Sequence, residues 1–199
     1  DNNIRRDTTF EKLSSLKPVF DRSGEGTMTA GNSTPLTDGA AAMLLASEDW
    51  ARKKNLPILA YLTFVKVAAV NFINDEGLLM APAYAVSDML KQANLRLQDF
   101  DFYEIHEAFA AQTVATLKAW QSEKFCRDRL GRNEPMGPID LSRLNVKGGS
   151  IAMGHPFAAT GARIMGTLAK VLGEKGSGRG LISVCTAGGM GVSAIMEAA

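Results

Sequence analysis

The chain has 199 residues, 46% hydrophobic and 22% charged, with a formal net charge of +1. That length suffices for one domain with a real core, or one domain plus pieces of another. The near-neutral balance excludes a basic field for nucleic acid, and no apolar run of about 18 residues is present to span a membrane.

The start, Asp1-Asn2-Asn3-Ile4-Arg5-Arg6, is polar and lacks both an initiator Met and the apolar stretch of a signal peptide. It reads as cut from something longer, or processed. Residues 1 to about 34 read as irregular, punctuated by Gly24, Gly26 and Gly31. Residues 39–54, GAAAMLLASEDWARKK, are apolar without clear alternation and then charged, which predicts a buried strand or helix ending in a surface turn. After Pro57, ILAYLTFVKVAAVNFI is rich in β-branched and aromatic residues and predicts a long strand.

Pro82 opens a predicted helix whose Ala83, Val86, Met89, Leu90 and Ala93 recur at helical spacing. DFYEI is a short strand ending at His106, and a helix is expected over 107–120, with Glu107 in its first turn where a carboxylate suits the helix dipole. Residues 121–147 are charged and bear prolines, the pattern of a long surface excursion. A Gly-rich stretch, GGSIAMGHPFAATGAR, follows. From Thr160 a helix places Gly161, Ile164, Met165, Leu168, Val171 and Leu172 on one face and is expected to stop at Gly173. RGLISVC is a buried strand, TAGGMG a tight turn and VSAIME a last strand. Alternating strands and helices predict an α/β fold, a mixed sheet covered by α-helices.

Three reactive side chains occupy comparable places. His106 lies where a strand meets a helix, His155 in the Gly-rich turn before a helix, and Cys185 at the end of a buried strand before Ala187-Gly188-Gly189. Sites in open α/β sheets gather at such strand ends, so the three are expected within roughly 10 Å of one another, the reach of one reacting centre. Small neighbours admit a substrate close to the backbone, whose N–H groups suit a developing oxyanion. The bland readings are a structural hydrogen-bonding histidine and, for Cys185, a small buried hydrophobe. Cys126, in SEKFCRDRL, reads as incidental. Two cysteines make no disulfide framework, and a reducing compartment is the simpler setting. No CxxC or HExxH occurs, so no metal site is expected. Gly149 and Gly154 have the spacing of a phosphate loop, but His155-Pro156 replaces its Lys-Ser/Thr and Pro156 removes an N–H, so that reading is rejected.

Taken together, GHPFAATGAR, CTAGGMG, HEAFA and GTMTAGNSTPLTDGAA resemble the thiolase family, and they follow its order along the chain. GHPFAATGAR is similar to the family's Gly-His-Pro signature. CTAGGMG is similar to its Cys-x-Gly-Gly signature, with Ala187 where Gly is usual. HEAFA is similar to its Asn-Glu-Ala-Phe-Ala segment, in the His variant of the fatty-acid-oxidation branch that includes β-subunits of trifunctional complexes. GTMTAGNSTPLTDGAA resembles the stretch where the family re-enters its N-terminal domain. The resemblance implies the C-terminal half of a two-half enzyme with a loop domain. Residues 1–34 would be the tail of the loop domain, 35–55 the last segment of the N-terminal domain, and 56–199 the C-terminal domain. The family's acyl-accepting cysteine lies in the missing half, and no cysteine here matches its context.

The resemblance further implies transfer of an acyl group between CoA thioesters, 3-ketoacyl-CoA and CoA giving acyl-CoA and acetyl-CoA or the reverse condensation. Coenzyme A is then a substrate, and no other cofactor is expected. His155 would take the nucleophile's proton and hydrogen-bond a thioester oxygen. Cys185 would shuttle a proton, its pKa tuned by N–H groups of the Gly turn. His106 would position a water in one oxyanion hole, and the N–H of Ala187 would line another. Ala30, Ser33, Thr34 and Leu36 match pantetheine-side positions, and Ala108 and Phe109 acyl and pantetheine contacts. Implied too are a homodimer or homotetramer, an associated hydratase/dehydrogenase subunit, a place in fatty-acid β-oxidation, and a cytoplasmic setting, or a mitochondrial or peroxisomal one in a eukaryote. Two alternatives stand beside this reading, a non-catalytic thiolase-like interaction or carrier domain and a sterol-carrier-type relative. Retention of both His155 and Cys185 favours the enzyme.

Overall fold

The computed structural model describes residues 5–74 and 76–199. Of the polar start only Arg5 and Arg6 fall among the described residues. Strands β1 (Ala60–Ala69), β2 (Phe102–Ile105), β3 (Arg179–Thr186) and β4 (Met190–Ala198) form one mixed sheet in the order β1-β4-β3-β2. The pairs β1–β4 and β3–β4 are antiparallel, whereas β2 runs parallel to β3 with Ile105 opposite Ser183. The two parallel strands therefore present their C-terminal ends at one edge, and both His106 and Cys185 lie there.

Side-chain alternation along β2 splits the core into two layers. Tyr103 and Ile105 face one cluster with Val86, Met89, Leu90, Trp120, Leu181 and Ile195. Phe102 packs on the other face against Ile164, Leu168, Leu172, Ile182 and Met196. Helices α3 (Ala81–Ala93) and α4 (Ala110–Gln121) carry the first layer, and α7 (Thr160–Lys175) carries the second. Burying each large aliphatic side chain of α7 contributes roughly 1.5–3 kcal/mol relative to exposure, enough for that stripe to hold the helix on the sheet.

Several expectations need correction. Residues 39–47 form no regular element and are mostly exposed, Leu44 and Leu45 among them, and only α2 (Glu48–Lys53) is helical there. Of their apolar side chains Met43 is half-buried, beside Gly166 of α7. The irregular N-terminal region holds one short helix, α1 (Phe10–Ser14), capped by the Thr9 hydroxyl. Strand β1 is shorter than the apolar run predicted. Helix α7 passes through Gly173 and ends at Gly176, which has the left-handed φ of 70°, and Gly161 is exposed rather than on the buried face. Residues 121–147 are more than a surface excursion. They form α5 (Glu123–Asp128) and place Cys126, Leu130, Met136 and Ile139 in the first core layer. Cys126 is fully buried, its thiol donating to the Trp120 carbonyl at 3.3 Å, a packing role.

Candidate active site

His106 follows β2 directly, its N–H bonded to the Ser183 carbonyl at 2.9 Å, so the strand ladder itself sets its position. His155 is placed by a short helix, α6 (Ser150–Met153), and by Gly154, whose φ of 97° turns the chain back. A Cβ on Gly154 would also run into Thr37. The His155 N–H then bonds the Pro35 carbonyl at 2.9 Å. The two imidazoles meet with ring centroids 4.3 Å apart. Cys185 lies two residues past Ser183 on the neighbouring strand, and the backbone N–H of Ala108 reaches its sulfur. Ala187 lies in the turn between β3 and β4. The two histidines thus meet, and Cys185 stands on the adjacent strand at the same sheet edge.

Electrostatics differ among the three. Burial, then repulsion from a charged His155 and from Arg163, pushes His106 down to about 4. His155 is also lowered, by burial and then by Arg163. Both rings are therefore neutral at pH 7. Nδ1 of His155 lies 2.6 Å from the Thr160 hydroxyl oxygen, and that hydroxyl donates to the Pro156 carbonyl at 3.3 Å. With its proton so used, Thr160 accepts from Nδ1–H, and the Nε2 lone pair of His155 is left to act as a base. Burial pushes the Cys185 thiol up to about 11. The N–H groups that oppose this shift are those of Cys185 and Ala108 rather than of the Gly turn, correcting the expected source of tuning. Cys185 is a thiol at neutral pH, suited to giving a proton.

The segment 32–36 sews these loops together. Thr34 N–H bonds the Ala108 carbonyl at 3.0 Å, Ser33 bridges Phe109, the Thr34 hydroxyl bonds the Ser150 carbonyl at 2.7 Å, and Leu36 bridges His155. Phe20 adds an edge-to-face contact on Phe109. Five of the six positions matched to CoA contacts are thereby brought together. Ala30 stands apart, exposed on the preceding turn.

Glu107 is not in the first turn of α4, which begins at Ala110. Its carboxylate instead accepts from the Ile151 N–H at 3.1 Å, at the start of α6, and from Asn145 Nδ2 at 2.6 Å. Gly149 is required beside it, because a Cβ there would overlap the carboxylate. Asn145 itself pairs the outer edge of β2, its amide accepting from Ile105 N–H at 2.9 Å and donating to Ile105 C=O at 3.0 Å. Ser150, hydrogen-bonded to both His106 and Arg163, completes the support. Sequence reasoning missed Asn145, Ser150 and Arg163. The one available signal was their polar character inside or beside the Gly-rich stretch. Among the described residues no cluster of His, Cys, Asp and Glu could hold a metal ion.

Comparison with known proteins agrees with this geometry. The family described as "Thiolase, C-terminal domain" matches residues 56–198, and "Thiolase, N-terminal domain" matches 1–49. The chain is 48% identical over 197 residues to a 3-ketoacyl-CoA thiolase of Yersinia pestis (strain Pestoides F), covering 99% of this chain and 44% of that relative. Among solved structures, the dimeric peroxisomal thiolase of Saccharomyces cerevisiae is 37% identical with a TM-score of 0.82, covering 100% of this chain and 45% of its own. The human mitochondrial 3-ketoacyl-CoA thiolase in complex with CoA is 34% identical with a TM-score of 0.77, covering 99% and 44%. The chain therefore spans less than half the length of the relatives it matches, yet with both family regions in order and the histidine pair and cysteine in place it belongs to the thiolase family.

Proposed function

We propose that this chain acts as the C-terminal part of a thiolase that moves an acyl group between CoA thioesters, cleaving 3-ketoacyl-CoA with CoA to acyl-CoA and acetyl-CoA, or running the reverse condensation. The observation that carries the reading is the meeting of two neutral imidazoles, 4.3 Å apart, at the sheet edge where β3 delivers Cys185. His155, with Nε2 free, takes the proton of a nucleophilic cysteine from the N-terminal part and afterwards hydrogen-bonds a thioester oxygen. Cys185 gives a proton to the departing acetyl-CoA carbon and receives one from the incoming CoA thiol. His106 holds a water in one oxyanion hole, and the Ala187 N–H lines the other. Ala30, Ser33, Thr34, Leu36, Ala108 and Phe109 contact the pantetheine and acyl parts. Residues 1–34 serve as the tail of the loop domain, 35–55 as the end of the N-terminal domain and 56–199 as the C-terminal domain.

The fatty-acid β-oxidation setting follows the names of the relatives. A homodimer fits the dimeric description of the yeast relative, and a homotetramer or an attached hydratase/dehydrogenase subunit extends that reading. Cytoplasmic placement fits the bacterial relatives, and mitochondrial or peroxisomal placement the eukaryotic ones.

The test is thiolysis of a 3-ketoacyl-CoA, followed by loss of its enolate absorbance. The full-length protein is expected to turn over, and the 199-residue chain alone is not, since it lacks the nucleophile. In the full-length protein His155→Ala and Cys185→Ser should each lower kcat by at least ~100-fold without altering the unfolding midpoint. Turnover by the isolated chain, or near-normal rates in either variant, would sink the assignment.

A further inference from the structure

The Ser150 hydroxyl is 1% exposed and sits between two nitrogens, Nδ1 of His106 at 2.8 Å and Nη2 of Arg163 at 2.9 Å. A guanidinium only donates, so the Ser150 oxygen accepts from Arg163. Its single proton then has one acceptor among the described residues, His106 Nδ1. The opposite arrangement, with Nδ1–H donating to Ser150, would leave a buried hydroxyl proton without an acceptor, the costlier state. Among the described residues Arg163 has no competing partner, because its Nε and Nη1 are buried without hydrogen bonds. Its one side-chain hydrogen bond among the described residues is the one that polarises Ser150, while Glu104 and Glu107 act on it only through charge.

We infer that Ser150, held by Arg163, is a positioning residue that fixes His106 in the Nε2–H tautomer, so that this ring presents a donor to the oxyanion site while His155, bonded through Nδ1 to Thr160, presents an acceptor. Two neighbouring imidazoles are thereby given opposite duties by the groups behind them. This rests on the thiolase reading for its catalytic meaning but not for its geometry. The low basicity of His106 agrees, since burial and its neighbours His155 and Arg163 keep it neutral and a tautomer choice is then meaningful.

The experiment uses the full-length protein labelled with 15N-histidine, with His106→Asn identifying the signals of His106. Two-bond 1H–15N correlations at pH 7 are expected to show a protonated Nε2 and a bare Nδ1. Ser150→Ala should give mixed tautomers and lower kcat roughly 10-fold with KM nearly constant, part of the loss seen when an oxyanion donor is removed. Ser150→Thr, which keeps the hydroxyl, should restore the single tautomer and most of kcat. A proton on Nδ1 in the unsubstituted protein overturns the inference, and so does a Ser150→Ala variant with unchanged tautomer and kcat. The tautomer is read without turnover, so an inactive protein with Nε2–H would count against the thiolase assignment and not against the role of Ser150. If Ser150→Ala does not fold, the unsubstituted protein and Ser150→Thr decide.

Discussion

Glu104 lies on β2 and His106 follows its end, and both are buried, at 2% and 3% exposure. Burial raises Glu104 to about 7, against the pull of Arg163, and lowers His106 to about 4. Their effects on stability oppose one another. Between about pH 4.5 and 6.5 the folded state keeps a Glu104 proton that the unfolded chain has released, so this group favours folding less as pH rises. In the same window the unfolded chain binds a His106 proton that the folded state refuses, so this group favours folding less as pH falls. The lowered His155 adds to the His106 side. Glu104→Gln removes one arm. Its stability relative to the parent should fall by about 2 kcal/mol from pH 7 to pH 4.5, within the limit of ~1.4 kcal/mol per pH unit for one proton. Urea midpoints at several pH values measure this, and parallel profiles for the two proteins would refute it.

The element that holds the site is the outer edge of β2, closed by segment 144–145, whose Asn145 N–H bonds the Tyr103 carbonyl at 2.8 Å and whose Asn145 side chain pairs Ile105. Asn145 has a left-handed φ of 47°, tolerated by asparagine, and its amide supplies both partners of the Ile105 backbone while also holding Glu107. Asn145→Ala would strip a buried N–H and a buried C=O of their partners, costing ~2–4 kcal/mol at 1–3 kcal/mol per group with some relaxation. Asn145→Asp keeps the size but turns an oxygen toward the Glu107 carboxylate, and should destabilise at least as much. Chemical denaturation of both variants checks this, and losses below ~0.5 kcal/mol, the scale of an ordinary surface change, would show that the edge needs no such closure. Such a contact is invisible locally, because an Asn between Leu144 and Val146 carries no period and finds Ile105 forty residues away. Helix α7 was legible for the contrary reason, since Ile164, Leu168 and Leu172 repeat on one face of the element that buries them. Gly173 misled because an interior glycine weakens a helix without ending it, and here it lies against Leu59. The reactive trio was legible because each member stands beside small residues, His106 and Cys185 at strand ends and His155 in a Gly-rich turn. Its supports were not, because Ser150 and Arg163 act through contacts 44 and 13 residues distant in the chain.

For the whole molecule, the apolar stretches that stand exposed share a cause. Residues 39–47 look buried in the sequence and are mostly exposed here, and the outermost strand β1 bares Leu62, Phe64, Val65 and Val67. The accessible surface is 11789 Å² for 21.3 kDa, whereas a folded monomer of this mass exposes about 9,100 Å². The excess, about 2,700 Å², exceeds what a standard protein interface buries on one partner. The exposed apolar residues include Leu44 and Leu45 and the bared side chains of the edge strand β1, the kind of surface that associates when left open. Composition therefore encodes burial of faces that this chain by itself leaves open. The 199-residue chain alone is expected to bind an apolar dye strongly and to exchange the amides of β1 within seconds to minutes, while those of β3, paired on both sides, remain protected for far longer. In the full-length protein the dye signal should vanish and β1 become as protected as β3. A monodisperse isolated chain with no dye binding, and with β1 already as slow as β3, would show that these faces need no cover.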